Sequence, residues 1–333
     1  MIKQAKTAEA PLRYIEARLV CRLSTDALFS AYKGSMLRGA LGASLRKGLC
    51  MTRNRDCRAC ILSRNCVFPA IFSPLPAQDQ PAPPPFCLEP DPGQRREYSQ
   101  GEEFGFNLKL FGFCAEYLPF FVQAFRMAGE TGLGDPARPG KFALAAVICQ
   151  GQSIYDAASD SLETPQPQYL PQPCPGSASG SPARLDLRIL SPLRHKNGNQ
   201  FSARLEFADL FHLILRRIRA LYLADKRAWS MDGEDYAALL ARAQAAKTIR
   251  SSLQWRDWTR YSSRQETRMK FGGLLGDIAY AGDIAVFANL LKFAEIAHLG
   301  KQTSFGLGRI GADWSQGANS GQTATQNCKA ENI

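Results

Sequence analysis

Apolar and polar positions alternate from Tyr14 to Leu23. Ile15, Ala17, Leu19 and Cys21 fall on one side and Glu16, Arg18 and Arg22 on the other, which is the period-two pattern of a half-buried strand. From Leu28 to Leu49 the apolar positions (Met36, Leu37, Ala40, Leu41, Leu45) take helical spacing. They predict one helix, or two short ones broken at Gly39 and Gly42. Phe104–Phe113 alternates again as a strand, Tyr117–Ala128 reads as a helix, Gly132-Leu133-Gly134 as a turn and Lys141–Cys149 as a strand. The second half repeats this order. Leu185, Leu187 and Ile189 oppose Asp186 and Arg188 in a strand over Arg184–Leu190. Phe207, Phe211, Ile214, Ile218 and Leu221 line one face of a helix over Phe207–Ala224. A helix at Ala237–Lys247, a strand at Leu253–Tyr261 and a helix at Ile284–Leu299 follow.

Composition supplies the boundaries. Residues 73–92 are Pro-rich and expected to be extended. Residues 151–183, rich in Pro, Ser, Gln and Gly, read as a linker. Residues 315–333 read as a disordered polar tail. The order of elements predicts an α+β protein of two tandem ferredoxin-like (RRM-like) domains, 1–150 and 184–314.

With 333 residues, 45% of them apolar, the chain is long enough for two cores. Its formal charge of +11 calls for a polyanionic partner, nucleic acid or an anionic membrane surface. The longest apolar run, Phe142–Cys149, is too short to span a bilayer. Met1–Ala10 lacks a signal core, so a cytoplasmic protein without a membrane partner is expected.

Two stretches carry candidate chemistry. The first lies in Lys33–Arg64, with eight cations and one acid, Asp56. Within it, Cys50, Cys57, Cys60 and Cys66 form a CxxC knuckle with two flanking cysteines. They read either as core thiols or as four zinc ligands, and the polar, Arg-rich loop around them favours a structural zinc insertion at about 50–66. Such a site would leave no open coordination position for catalysis. The second stretch is Lys301-Gln302-Thr303-Ser304-Phe305-Gly306-Leu307-Gly308-Arg309. Its glycines, hydroxyls and bracketing cations suit a nest for phosphate oxygens, or equally a tight turn before a last strand. Arg256, Trp258 and Arg260 alternate onto one strand face, an aromatic between two cations that suits a stacked base. No carboxylates cluster at a spacing suited to Mg²⁺.

The succession Trp255-Arg256-Asp257-Trp258-Thr259-Arg260, Gly272-Gly273-Leu274-Leu275-Gly276 and His298-Leu299-Gly300-Lys301 through Ile310 resembles the C-terminal domain of the CRISPR-associated pre-crRNA processing endoribonucleases of the RAMP superfamily. The likeness extends more loosely to Ser191-Pro192-Leu193-Arg194 and to the first half. It implies cleavage of CRISPR repeat RNA without a catalytic metal, by attack of a 2′-hydroxyl on the adjacent phosphorus, in a prokaryotic cytoplasm. It implies RNA contacts from Arg46, Lys47, Arg194, Arg256, Trp258, Arg260, Arg264, Lys301, Thr303, Ser304, Gly306, Gly308 and Arg309. Of the three histidines, His298, beside the glycine loop, is the candidate for acid–base work. His195 reads as a loop residue and His212 as structural. Many relatives carry a catalytic histidine near the first helix, whereas no histidine precedes His195 here. Tyr32, Lys33 and Arg38 occupy that region and are the catalytic candidates carried over. Two alternatives stand beside this reading: a non-catalytic crRNA-binding subunit of a CRISPR effector complex, and a zinc-stabilised DNA-binding regulator.

Overall fold

The computed structural model describes residues 10–52, 56–72, 74, 83–176, 183–197, 200–257, 259–262, 267–270 and 272–316. In the first half β1 (Arg13–Leu23) is the central strand, antiparallel along most of its length to β3 (Glu103–Phe111) and β4 (Phe142–Cys149). β2 (Phe86–Pro90) edges β3. The sheet order β2-β3-β1-β4, with α1 (Lys33–Leu49) after β1 and α2 (Leu118–Thr131) after β3, is the ferredoxin-like connectivity. α1 buries Leu37, Leu41 and Leu45, spaced one turn apart. It runs unbroken through Gly39 and Gly42, where a break or a single helix was expected. Gly42 stays because the Phe72 ring lies against it, and a Cβ would overlap that ring.

The second half repeats the order as β6-β7-β5-β8, with β5 (Ala183–Leu193) between β7 (Gly273–Gly282) and β8 (Ile310–Gln316), and β6 (Lys247–Ser251) on the edge. α3 (Phe207–Ala224) and α5 (Ala288–Ala297) connect the strands, and α4 (Gly233–Ala245) packs on α3. α3 starts at a reciprocal capping box of Glu206 and Asp209, which satisfies two amides that lack helical partners.

Three sequence expectations change. Leu253–Tyr261 is not one strand: Gln254–Arg256 pairs with β7, whereas Thr259–Ser262 pairs with Thr267–Lys270 in a separate hairpin. Ser315 and Gln316 belong to β8, so the expected tail begins too early, and 317–333 lie outside the described residues. The linker is tied down: Gln152–Ser153 turns back and pairs antiparallel with the end of β4, Tyr155–Asp156 pairs with Ser161–Leu162, and Gln168–Tyr169 pairs with the start of β1.

Each half has its own core, but the second core recruits Leu12, Tyr14, Cys87 and Phe111 from the first half and Leu170 from the linker. Four of these five are at most 2% exposed. Burying a large apolar side chain contributes roughly 1.5–3 kcal/mol, so the halves are welded rather than strung together.

The expected zinc insertion is not shown. Among the described residues no three His, Cys, Asp or Glu side chains come together as a metal site. Cys50, Cys57, Cys60 and Cys66 take separate surroundings. The Cys57 thiol accepts from Arg46 at 3.6 Å, Cys60 lies 3.4 Å from the Thr52 hydroxyl, and Cys57 and Cys66 lean on the first core. The donors do not converge on one point, and no role is assigned to zinc. Among the described residues, no helix is long and apolar enough to cross a membrane.

Candidate nucleic-acid interface

The glycine loop joins α5 to β8, and its dominant contacts are inward. Thr303–Phe305 forms one 3₁₀ turn wedged between α1 and β2. Thr303 and Ser304 are 2% and 3% exposed, and Gly306 and Gly308 are buried as well. Gly306, at φ +82°, is needed because a Cβ would overlap the Leu88 carbonyl oxygen of β2. On the other flank Gly34 of α1 lets the Phe305 carbonyl approach where any Cβ would collide. The four loop positions read as phosphate ligands thus face protein, and Lys301 alone between 301 and 308 is exposed.

Tyr32 and Arg38 do meet the loop, as braces. The Tyr32 hydroxyl donates to the Phe305 carbonyl at 2.6 Å, and burial pushes the phenol far above its ordinary range, which disables it as a base near neutrality. Arg38 Nε donates to Ser304 Oγ at 2.9 Å, and the guanidinium lies between the Phe72 and Phe305 rings at 4.2 and 4.5 Å. Cation and rings together hold α1, the Val67–Phe72 helix and the loop in register.

His298 is 0% exposed. Its Nε2 donates to Glu89 Oε1 at 2.5 Å, and its Nδ1 lies 3.1 Å from the Leu307 carbonyl. Lys109 Nζ reaches the same Glu89 oxygen at 2.5 Å, and Arg309 lies 3.9 Å from the other. One carboxylate of the first half therefore holds cationic groups from both halves at the junction. Burial raises Glu89, but the hydrogen bonds and charges of His298 and Lys109 outweigh it and hold the carboxyl well below its ordinary 4.5. Burial drives His298 below 6.5, with Glu89 pulling it back. Both groups bind protons more weakly folded than unfolded, so the stability they confer is complete above their ordinary values. It falls as pH drops below about 6.5 and again below about 4.5. Melting temperature measured from pH 7.5 to 4 is expected to decline along that course, and a flat profile would remove the pair from the junction's stability.

Arg217 of α3 is fully buried beside them, donating to the Ala297 carbonyl at 2.9 Å and to Cys87 Sγ at 3.6 Å. Glu89, Lys109 and Arg217 were missed by sequence reasoning. An acid inside the apolar run Phe86-Cys87-Leu88-Glu89 was the available signal.

The outer face differs. Lys301 is exposed, and its pKa is lowered first by partial burial and then by Lys196, Arg194 and Arg216 around it. Among the described residues, Lys196, Arg216, Arg219 and Lys301 make no ion pair with a carboxylate. Arg194 donates to the Gln302 side chain at 2.6 Å and lies over the Phe201 ring at 4.6 Å. Lys196, Arg216 and Arg219 were also missed. The pair at i and i+3 on the exposed side of α3 could have revealed two of them.

The remaining sequence candidates are scattered. Lys33 is 6% exposed, 5.7 Å from the Tyr98 ring centre, and burial lowers its pKa, with Asp91 opposing and Arg95 assisting. Arg46 lies over Phe68 and donates to Cys57, so it fastens the cysteine loop. Lys47 and Arg256 are exposed. Trp258, Arg264 and the side chain of Arg260 lie outside the described residues. His195 is buried, with Nε2 2.7 Å from the Arg204 carbonyl, whereas His212 is half-buried and partnered by Tyr236.

Residues 187–310 match a family model described as CRISPR-associated endoribonuclease Cas6, and residues 12–167 match one described as an N-terminal domain. An uncharacterized protein of Archaeoglobus fulgidus is 24% identical over 284 residues, covering 83% of this chain and 90% of the relative. A Thermus thermophilus Cas6 in a product complex superposes with a TM-score of 0.53 at 15% identity, over 90% of this chain and 99% of that one. A partial Cas6-RT-Cas1–Cas2 complex gives 0.53 at 12% identity, over 96% of this chain and 49% of that one. The structures share the α+β fold described above.

Proposed function

We propose that this chain, a relative of the CRISPR-associated pre-crRNA processing endoribonucleases, cuts CRISPR repeat RNA by a route that needs no metal ion. The observation that carries the reading is the group of like charges at the outer end of the glycine loop. Partial burial lowers Lys301, and Lys196, Arg194 and Arg216 stand close enough to lower it further. Folding alone gains nothing from like charges held together, whereas a polyanion bound across them releases its counterions and relieves the repulsion.

In the proposed reaction the 2′-hydroxyl gives its proton to solvent water and its oxygen attacks the adjacent phosphorus. The bond to the 5′-oxygen breaks, and that oxygen takes up a proton. The products are a 2′,3′-cyclic phosphate and a 5′-hydroxyl. Lys33, carried over by the resemblance, is the group assigned to charge stabilisation and proton donation. His298 is assigned no part in the chemistry, because it is enclosed by Glu89 and Leu307. The outward cations Lys47, Arg256 and Lys301, with Arg194 behind them, are assigned to the RNA backbone.

The test is incubation of the protein with repeat RNA in EDTA. A single cut with a cyclic phosphate end is the expected result, and dependence on added metal would overturn the mechanism. Lys33→Ala is expected to slow cleavage by on the order of 10²-fold with binding unchanged. A second reading, an RNA-holding subunit without activity, draws on the fact that Tyr32, Arg38 and His298 are all engaged as braces. Tight binding with no cut under any condition would select it.

A further inference from the structure

The cations at the loop do not stop at Lys301. A groove of about 610 Å³ runs beside α3, lined by Lys196, His212, Leu215, Arg216, Arg219 and Tyr236, among others. Lys196 and Arg216 belong both to this groove and to the cluster around Lys301. The charged surface is therefore continuous from the glycine loop onto the helical side of the second half.

The lining has three parts that match the parts of a nucleotide. Arg216 and Arg219, one turn apart on α3 and both exposed, present guanidinium groups that suit phosphate oxygens. The rings of His212 and Tyr236, half-buried with centroids 6.4 Å apart, form an aromatic wall. His212 Nε2 and the Tyr236 hydroxyl, 3.2 Å apart, fix each other's orientation. Leu215 and Met231 add apolar surface. The one carboxylate in the lining, Asp209, is already committed to the amide of Glu206 at the start of α3. The volume lies within the span of pockets that take small organic groups.

We propose that this groove holds single-stranded RNA flanking the cleaved linkage, with phosphates on Arg216 and Arg219 and one base against the Tyr236–His212 wall. The inference rests on the RNA-cleaving reading for its substrate and adds the path of the strand. Stacking on an aromatic wall requires an unpaired base, because a duplex keeps its faces covered. That favours single strands over hairpin stems or duplex DNA.

Two labelled probes separate the ideas: a ten-nucleotide single-stranded RNA and the same strand with its bases removed. Arg216→Glu combined with Arg219→Glu is expected to weaken binding of the RNA at least tenfold and to lower the salt dependence by about 1.4 in log–log slope for two lost phosphate contacts. Lys292→Glu, an exposed cation on α5, serves as control and is expected to change the affinity less than twofold. The abasic strand is expected to bind the wild-type protein about tenfold more weakly than the RNA, and Tyr236→Leu is expected to erase that preference. Tyr236→Phe, which keeps the ring, is expected to retain it even if Tyr236→Leu folds poorly. Unchanged affinity in the double charge reversal would overturn the groove while leaving the cleavage reading intact, provided repeat RNA is still cut in EDTA. Unchanged preference for the RNA over the abasic strand in a folded Tyr236→Leu protein would also overturn it. A wild-type protein that binds neither probe nor repeat RNA would bring down both.

Discussion

Replacing Glu89 with glutamine is expected to cost about 3–5 kcal/mol, the usual penalty for removing one member of a buried charge group. The carboxylate is 4% exposed as a residue and faces Lys109, His298 and Arg309. Glutamine keeps the shape and loses the charge, so Lys109 is left buried beside a neutral amide, with Glu16 at 3.8 Å the one other carboxylate that pairs with it among the described residues. The melting temperature is expected to fall by on the order of 10 °C. Lys109→Met in the Glu89→Gln background is expected to recover part of the loss, because neighbours in one network do not add. A Glu89→Gln protein that melts within 2 °C of wild type would show that the carboxylate does not hold the junction.

Gly306→Ala is expected to be nearly as damaging for a different reason. The backbone there sits at φ +82°, and a Cβ would overlap the Leu88 carbonyl of the opposing strand. Both strain and overlap act, and rigid backbone on each side gives neither an easy escape. A loss of roughly 2–4 kcal/mol is expected, in the range of overpacked core sites and strained positions together. Gly39→Ala is the counterpart: no atom lies within 4 Å of a Cβ at that helical position, so a gain of up to about 1 kcal/mol is expected. Thermal melts of the two variants decide the matter. Equal effects would mean that the loop is not wedged against β2.

The contrast between these glycines shows what the sequence could and could not tell. The spacing of Gly300, Gly306 and Gly308 announced backbone at positive φ, and all three have it. Whether the resulting amides face an anion or a neighbouring strand depends on what packs opposite. For Gly306 that information sits in Leu88, more than two hundred residues away, and for Gly300 in the Arg194 carbonyl. The strands and helices were legible because local periodicity follows burial on one face, as in β1 and α3. His298 was read as reactive from its neighbours in sequence, while its chemistry is set by Glu89 from the other half. The cysteines had metal-like spacing, but spacing does not make four sulfurs converge, and Arg46 and Thr52 take two of them. Trp258 and Arg264 remain sequence expectations alone.

The recruitment of Leu12, Tyr14, Cys87, Phe111 and Leu170 into the second core has a bearing on how the molecule comes apart. A chain cut between 176 and 183 would keep every one of those contacts. Its two pieces would stay associated under native conditions and separate only where both cores melt. Neither piece would be a clean minimal unit: the C-terminal one alone would bare apolar surface that the N-terminal half now covers, and would tend to aggregate. The packed junction would thus join the halves even without the covalent connection.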